Sequence, residues 1–489
     1  MTPGREPDED EQTSLLPPPE SNPSPDGASS GISSGVGNRP AFFLALALIT
    51  LLQAGLIAPV VSSTGLLENV ICQREHGSLR DCKADDVQSK LAMFKGIASL
   101  TLMIPGIFLT VPFGALADRY GTRPIMAIAL TGIFLREAVS SLVYWMAPTW
   151  PIELIWAAPV SFVLGGGPPA FISLLFIFVA DATPPTLRSS RFFQLEAAAY
   201  IGNILSYVIS SALSDVNPWI PILLGLVLLL FAIILLLVTS RFIKVDRQKP
   251  AEELSATLEG DQDAVHGNED TGSNKSGWEY VQSFLTLVKQ RKVIPALLAG
   301  YWLRMLAVSV TGLQLLYTSR LFDWTYSKAA YMVTLDSAVH LTVLFILPGA
   351  ALILTSRFSL SSFSRDWWLA RASVLMTVVG SAGMAFSPTP TIMALSVILF
   401  GLGAGYSSSV RGLLTILTDA PHRSLVFSIM GTLDIIGTLI GGPLWPAIYH
   451  VGLGLGGLYV GLPFIVAAAM FALVFASVEV TRVSIGTIE

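Results

Sequence analysis

Residues 114–124 read GALADRYGTRP and lie between two long apolar segments of the chain. The stretch contains two glycines, one acid and two arginines, an unusual density of charge between segments that are apolar enough to enter a membrane. Gly114 would let a neighbouring backbone come close. Pro124 suits the first turn of a following helix, because its missing N–H has no intrahelical role there. The stretch therefore predicts a short charged connection between two spanning helices.

This connection resembles the loop between helices 2 and 3 of the major facilitator superfamily, which reads roughly Gly-x-Leu-x-Asp-Arg-x-Gly-Arg-Arg. The matching residues are Gly114, Leu116, Asp118, Arg119, Gly121 and Arg123. Thr122 departs from the pattern, because the family usually has a base there. The resemblance implies an all-α integral membrane fold of twelve transmembrane helices in two six-helix pseudo-repeats. It also implies a conformational latch that locks the two halves on the cytosolic side, formed by Gly114, Asp118, Arg119, Gly121 and Arg123.

Composition independently indicates a membrane protein. Apolar residues make up 52% of the chain and charged residues 13%, about half the charged share of a soluble domain. The net charge of −5 lies in residues 1–40, which hold seven acids and two bases, and no basic face suggests nucleic acid as a partner. No nucleophile elbow, metal cluster or phosphate loop is recognisable, which argues against an enzyme and predicts no cofactor and no metal.

Apolar segments divide the chain into two bundles around a polar linker. We predict a disordered acidic tail at 1–40, a six-helix bundle at 41–240, a linker at 241–292, a second bundle at 293–478 and a tail at 479–489. A polar loop at 62–92 would follow the first span. The predicted spans are 41–61, 94–117, 124–146, 152–181, 192–213, 217–240, 293–318, 329–355, 369–387, 391–418, 424–449 and 456–478.

Bases indicate the orientation of these spans. Arg119, Arg241 and Arg365, among others, flank loops on the side of the N-terminal tail. The opposite short loops after helices 3, 5, 9 and 11 contain no Lys or Arg, although those after helices 1 and 7 contain some. By the positive-inside rule both termini and the linker are predicted to be cytosolic.

Two cysteines, Cys72 and Cys82, lie close together in the predicted loop after the first span. The short separation is easily closed, and no other thiol competes. We predict a disulfide, which requires this loop to face the extracytosolic side. The alternative is a pair of reduced cysteines.

The N-terminal tail contains a candidate sorting signal. Glu11, Leu15 and Leu16 fit the acidic dileucine pattern that cytosolic sorting adaptors bind. The alternative is a chance leucine pair in a disordered tail. If the signal is functional, it directs the protein to the vacuole or lysosome. The predicted location is therefore the vacuolar membrane, or the plasma membrane if the leucine pair is a chance match.

An internal repeat supports the division into halves. The run FVLGGG at 162–167 leads to Asp181, and FGLGAG at 400–405 leads to Asp419, each 19 residues after its phenylalanine. The alternative is that glycine-rich membrane helices look alike, since small residues permit close packing. In this alignment Leu354 lies opposite Asp118, so only the first half keeps the charged connection.

Ionisable residues at membrane depth are costly and usually face a cavity or the bundle interior. The candidates for proton coupling are Glu137, Asp336, His340 and Asp434. The candidates for binding an anionic group of the substrate are Arg136, Arg304 and Arg411. The alternative is that these acids and arginines pair as interhelical locks. Because adjacent helical residues point about 100° apart, Arg136 and Glu137 are not expected to face the same partner.

Resemblance also narrows the function. The run YSSSVRGLLTILT at 406–418 and GTLD at 431–434 resemble fungal members of the superfamily, and more loosely the proton-coupled folate transporter branch. Helix 5 lacks the Gly-Pro-x-x-Gly-Gly pattern of proton-driven drug exporters. We predict a monomeric transporter in a lipid bilayer that moves a small organic solute by alternating access with H⁺, with efflux of a secondary metabolite or drug-like compound as one form. The alternative is a non-transporting membrane sensor or receptor on the same fold.

Overall fold

The computed structural model describes residues 39–239 and 293–486, apart from residues 80, 148, 185–186, 359–360 and 419–422. All regular structure within these ranges is helical. The first half contains α1 (Arg39–His76), α2 (Asp85–Tyr120), α3 (Thr122–Trp145), α4 (Ile152–Asp181), α5 (Arg188–Ser214) and α6 (Trp219–Thr239). The second half contains α7 (Val293–Leu321), α8 (Tyr326–Phe358), α9 (Ser362–Ala385), α10 (Pro390–Leu417), α11 (Arg423–Leu455) and α12 (Leu462–Gly486).

The helices have the length and surface expected of membrane spans. Eleven helices within the described ranges are long and apolar enough to cross a bilayer. The twelfth, α11, has 33 residues, although glycines, prolines and polar residues interrupt its apolar character. Helix α6 shows the pattern most clearly, because its exposed residues at helical spacing are apolar: Leu223, Val227, Leu230, Ile234 and Leu237. Such a stripe is stable against lipid and costly in water, so the predicted fold class of twelve transmembrane helices is confirmed.

Local sequence explains several helix ends. At the start of α10, the Thr389 side chain accepts a hydrogen bond from the Ile392 N–H, and Pro390 occupies the first helical position. Ser361 caps α9 in the same way through the Ser364 N–H. Gly121 separates α2 from α3 with φ of 97°, a conformation that other residues rarely adopt. These residues fix where the chain turns at the membrane surface.

The predicted polar loop at 62–92 is wrong. Helix α1 continues to His76 and α2 begins at Asp85, so only residues 77–84 connect them. The hydrophobic run stops near Ser62, but buried residues recur at helical spacing beyond it: Thr64, Leu67, Glu68, Ile71 and Cys72. This buried stripe packs against α2 and the start of α8, so tertiary packing extends the helix beyond the apolar run.

The two glycine-rich runs of the internal repeat interrupt α4 and α10, which occupy equivalent positions in the two halves. In α4, Gly165, Gly166 and Gly167 all have positive φ between a 3₁₀ segment and an α-helix. A side chain at Gly165 would meet the backbone of Ala129 on α3 at 2.2 Å. In α10, residues Gly403–Gly405 form a 3₁₀ break. Helix α4 packs against α2 and α3, and α10 packs against α8 and α9, as a two-fold repeat requires. Asp419 lies outside the described residues.

The two halves meet mainly through α2 with α11 and α5 with α8. We call the end that carries Cys72 and Cys82 the disulfide end, and the end that carries residues 114–124 the motif end. One apolar core at the disulfide end combines residues of both halves, including Leu67, Tyr317 and Trp445. Towards the motif end the halves have separate cores. The halves are therefore joined at the disulfide end.

Several predictions fall on residues that the structure does not describe. The acidic tail, the sorting residues Glu11, Leu15 and Leu16, and the linker at 241–292 lie outside the described ranges. The predicted tail at 479–489 is helical as far as Gly486, where α12 ends.

Candidate functional site

A polar cluster joins three helices of the second half. The Tyr301 hydroxyl on α7 donates to Oδ2 of Asp434 on α11 at 3.1 Å. Arg411 on α10 donates to the same hydroxyl at 3.3 Å, and its guanidinium lies 3.9 Å from Oδ2 of Asp434. Arg411 is about half exposed and Asp434 about one-third exposed, so neither side chain is fully enclosed by the protein. The structure thus brings together a predicted substrate residue and a predicted proton-coupling residue.

The cluster continues across the cleft to the first half. On α8, Nδ1 of His340 contacts the backbone oxygen of Asp336 at 2.9 Å and lies 3.6 Å from its Oδ1. The His340 ring stacks on Tyr200 of α5, with centroids 5.7 Å apart. Glu196, one turn before Tyr200, lies close enough to Arg411 and His340 for electrostatic interaction. We call these seven residues the central cluster: Glu196, Tyr200, Tyr301, Asp336, His340, Arg411 and Asp434.

Arg304 has a different environment from the other predicted arginines. It is buried, and its guanidinium donates to Ser407 Oγ at 3.1 Å and to the Gly403 carbonyl at 3.2 Å. The guanidinium also lies 5.2 Å from the centroid of the Tyr406 ring. These contacts tie α7 to the break in α10, so they stabilise the geometry of the second half.

A cavity of about 230 Å³ lies within the first half, lined by α1, α2, α3, α4 and α6. Arg136 and Glu137 both line it, and Nη1 of Arg136 donates to Oε1 of Glu137. Among the described residues, the two side chains pair with each other and do not share a third partner, although both line one cavity. The long arginine side chain curls along the helix and offsets the divergence of the two Cα–Cβ directions. We call this space the N-half cavity.

A second cavity of about 400 Å³ lies between the halves, lined by α1, α2, α5, α7, α8 and α11. It shares Val60, Lys95 and Ser99 with the N-half cavity, so the two spaces adjoin. We call it the interhalf cavity. Lys95 is the charged residue common to both linings.

A hydrogen-bond network closes the disulfide end. Oε1 of the buried Glu68 on α1 accepts hydrogen bonds from Lys83 at 2.9 Å, from the Tyr326 hydroxyl at 2.8 Å and from Gln88. Lys83 also donates to Ser319 on α7 at 2.7 Å and lies 3.9 Å from the centroid of the Tyr326 ring. Because Ser319 and Tyr326 belong to the second half, this network connects both halves. We call these five residues the disulfide-end network.

Two further contacts join the halves at this end. Arg320 on α7 donates to Oδ1 of Asp85 at 2.8 Å, and Ser89 contacts Nδ1 of His450 on α11. The Cys72–Cys82 disulfide is present, with Cα atoms 5.2 Å apart. It ties the connection at 77–84 to the end of α1 and so holds the residue next to Lys83 in place. The described residues therefore bridge the halves by charge and hydrogen bonding as well as by apolar packing.

Comparison with known proteins agrees with this architecture. The sequence model described as Major Facilitator Superfamily matches residues 44–339. The chain belongs to the Major Facilitator Superfamily. It is 31% identical over 443 residues to the MFS efflux pump atnC of Emericella nidulans, covering 86% of this chain and 83% of that protein. It is 27% identical to the efflux pump ustT of Aspergillus flavus, covering 91% and 89%. Its family is one of transporters and not of enzymes.

Solved structures share the fold of this superfamily member. The partially occluded inward open xylose transporter XylE from E. coli superposes with a TM-score of 0.58 at 14% identity, covering 90% of this chain and 96% of that chain. At this identity the likeness establishes the fold alone.

The superfamily motif lies at the end where the halves have separate apolar cores. Asp118 and Arg119 are exposed, and Arg119 lies 5.3 Å from the centroid of the Tyr120 ring. Arg123 packs over the Phe178 ring of α4 at 5.3 Å. A methyl group added at Gly114 would meet nothing within 4 Å, so the expected close approach of a backbone is absent in this conformation.

Sequence reasoning missed several residues of these sites. Lys95 and Glu68 lie in stretches that hydropathy placed at a span end and in a loop. Tyr200 has no charge to mark it in an apolar helix. Their helical spacing was the available signal: Tyr200 lies one turn after Glu196, and Lys95 lies two turns after Gln88.

Proposed function

We propose that the chain exports a small organic solute by alternating access, coupled to protons. The observation that carries the proposal is the asymmetry of the two ends. Residues of both halves share a core and a hydrogen-bond network at the disulfide end, while the halves have separate cores towards the motif end. An alternating-access transporter closed at one face and accessible from the other has this arrangement.

The orientation of the bases assigns the two faces. The motif end carries Arg119, Arg123 and Arg357, which by the positive-inside rule face the cytosol together with both termini. The disulfide end then faces an oxidising compartment, in agreement with its disulfide. The conformation is accordingly the one that loads from the cytosol. The protein works as a monomer in the plasma or vacuolar membrane, and Glu11, Leu15 and Leu16 bind a sorting adaptor in the cytosol.

Export is favoured by the names of the relatives, since atnC and ustT are both described as efflux pumps. The solute is a secondary metabolite or another drug-like compound of the producing cell. Comparing metabolites inside and outside cells with and without the gene tests this assignment. Loss of the gene should raise the internal level of the exported compound and lower its external level. Unchanged distribution of every detected compound would contradict export.

Proton coupling rests on the central cluster. Glu196, Asp336 and Asp434 provide three carboxyl groups around the cleft, and His340 lies against one of them. Burial disfavours the charged form of a carboxylate, so such groups can exchange protons as the cleft opens and closes. Among the described residues at this depth, Arg411 and Asp434 form an ion pair between helices, so an interhelical lock is the competing role for that pair.

Transport assays with the protein reconstituted in liposomes distinguish proton coupling from a purely structural interhelical lock. Liposomes with an imposed pH gradient should take up the exported compound faster than liposomes without one. Asp434→Asn, Asp336→Asn and Glu196→Gln should each reduce the gradient-driven component, while the exposed Asp215→Asn at the other end serves as the matched control. A flux that ignores the gradient, with Asp434→Asn, Asp336→Asn and Glu196→Gln all silent, would show that coupling is wrong. Binding without any flux would favour a sensor on the same fold.

A further inference from the structure

Lys95 on α2 has an unusual set of contacts for a charged side chain inside a membrane helix. Its ammonium donates to Thr64 Oγ1 on α1 at 2.7 Å. Thr64 is itself buried and donates its proton to the Val60 carbonyl at 2.6 Å. Among the described residues, Lys95 takes part in no ion pair. An ammonium group has three N–H donors, so two of them remain for whatever occupies the adjoining space.

Among the described residues that line the two cavities, Glu137 is the carboxylate that could serve as a partner for Lys95, but it pairs with Arg136. The charged residues of the N-half cavity are Lys95, Arg136 and Glu137, and the two residues of α3 pair with each other. That leaves one net positive charge on the wall. Of the described residues that line the interhalf cavity, Lys95 is the one that carries a charge. A charge in such a site is costly unless a partner of opposite sign compensates it.

Other groups around Lys95 also supply unused hydrogen-bond donors. Within the part of the chain that the structure describes, the buried Ser140 Oγ and Arg136 Nε have no hydrogen-bond partner, and both residues line the N-half cavity. Each can donate to an acceptor placed in the cavity. Excess donors beside an unpaired cation favour a ligand group that is both anionic and rich in acceptor atoms, as a carboxylate is.

The remaining walls define the rest of the ligand. Phe94 and Tyr144 line the N-half cavity, and Tyr207 and Trp445 line the interhalf cavity. Both spaces are predominantly apolar apart from the groups around Lys95. A ligand held there would place its acidic group at the ammonium and an apolar or aromatic body against these rings.

We propose that Lys95, oriented by its hydrogen bond to Thr64, forms the anion-binding subsite of the transporter, which selects organic solutes that carry one acidic group on an apolar body. The inference rests on the proposed transport function and specifies its substrate class. The interhalf cavity contains residues of both halves, so a ligand at Lys95 contacts both moving parts. Occupancy of this subsite can therefore affect the relative position of the halves.

Binding of 2-naphthoate to the purified protein in lipid nanodiscs tests the subsite. The neutral isostere 2-naphthamide is the matched ligand, and empty nanodiscs measure partition into lipid. Calorimetry should show saturable binding of the acid. The affinity for the amide should be lower than the affinity for the acid by about tenfold or more. Lys95→Gln should weaken binding of the acid by about tenfold or more, while Lys95→Arg should keep most of it because the charge remains.

Lys90→Gln is the matched control variant. Lys90 lies on the same helix, is exposed and pairs with Glu75, so its loss should leave naphthoate affinity unchanged. Equal binding of acid and amide, full affinity in Lys95→Gln with retained folding, or no saturable binding of the acid at millimolar concentration would each overturn the subsite. Loss of solute flux with naphthoate binding intact would contradict the transport proposal and not this one.

Discussion

The hydroxyl of Tyr326 on α8 donates a 2.8 Å hydrogen bond to Oε1 of Glu68 on α1. Both residues are buried, and they belong to different halves of the protein. Lys83 and Gln88 donate to the same oxygen from the first half, so Glu68 is held mainly by its own half. Tyr326 therefore makes the contact to Glu68 that must break when the halves part at the disulfide end.

Tyr326→Phe should shift the protein towards the conformation that is open at the disulfide end. Loss of one hydrogen bond to a charged acceptor costs about 1 kcal/mol or more, which corresponds to at least about a fivefold change in population. Hydrogen–deuterium exchange of peptides covering residues 62–90 should accelerate. Tyr331→Phe on the same helix is the control, because Tyr331 is exposed. Equal exchange in both variants would show that the bond does not hold the end closed.

The double variant Cys72→Ser/Cys82→Ser should be less stable and less tightly closed. The disulfide restricts the unfolded chain and holds the connection next to Lys83, and loss of a disulfide typically costs about 2–4 kcal/mol. Thermal unfolding should show a lower melting temperature for the double variant and for the wild type treated with dithiothreitol. The double variant itself should not respond to the reductant. A reductant effect of the same size in both proteins would contradict this interpretation.

Asp118→Asn should reduce transport while the protein remains inserted and folded. In the conformation described here Asp118 is exposed at the separated end of the halves. Its proposed latch would act when this end closes, so the folded state described here should tolerate the change. Initial flux in liposomes and the melting temperature are the two measurements. Normal turnover in Asp118→Asn would remove the latch, and Asp215→Asn serves as the exposed control at the opposite end.

Gly165→Ala should impair folding, whereas Gly114→Ala should leave it unchanged. Gly165 has φ of 97°, and an added side chain would meet the backbone of Ala129 at 2.2 Å, so α3 and α4 would have to separate. At Gly114 the same methyl group has open space. Gly165→Ala should therefore lower the yield of monodisperse protein, while Gly114→Ala should fold normally. If Gly114→Ala nevertheless slows transport, Gly114 is needed in the other conformation.

The fold was predictable because its main determinant is local. Twelve apolar segments and one charged connection are sufficient to specify the helices and the family, and the spacing of the glycine runs predicts the repeat. The boundaries of α1 and α2 were not predictable from hydropathy. Beyond Ser62 the helix is maintained by a stripe of mixed polarity that includes Glu68, and its burial depends on α8, which is distant in sequence.

The sites were only partly predictable. Charge at membrane depth indicated Asp336, His340, Arg411 and Asp434, which the structure places around one cleft. Arg304 carries the same signal, but its Nη1 and Nη2 donate to groups within the second half. Which acid pairs with which base depends on the rotation of each helix about its axis and on how the two halves pack. Neither of these two features can be derived from a single sequence.

Thr64 and Glu68 lie one turn apart on α1, and their partners Lys95 and Gln88 lie two turns apart on α2. The two pairs are successive hydrogen bonds that connect α1 with α2. The Lys95–Thr64 bond lies at the solute subsite. The Gln88–Glu68 bond lies nearer the disulfide end, where Glu68 also accepts from Tyr326 of the opposite half. We expect the carboxylate of an acidic solute to bind the two donors of Lys95 that Thr64 leaves open. Binding should weaken the Lys95–Thr64 hydrogen bond, one turn of α1 away from the Glu68–Gln88 contact nearer the closed end. In that case, binding of the solute would itself begin to open the disulfide end through which the solute leaves.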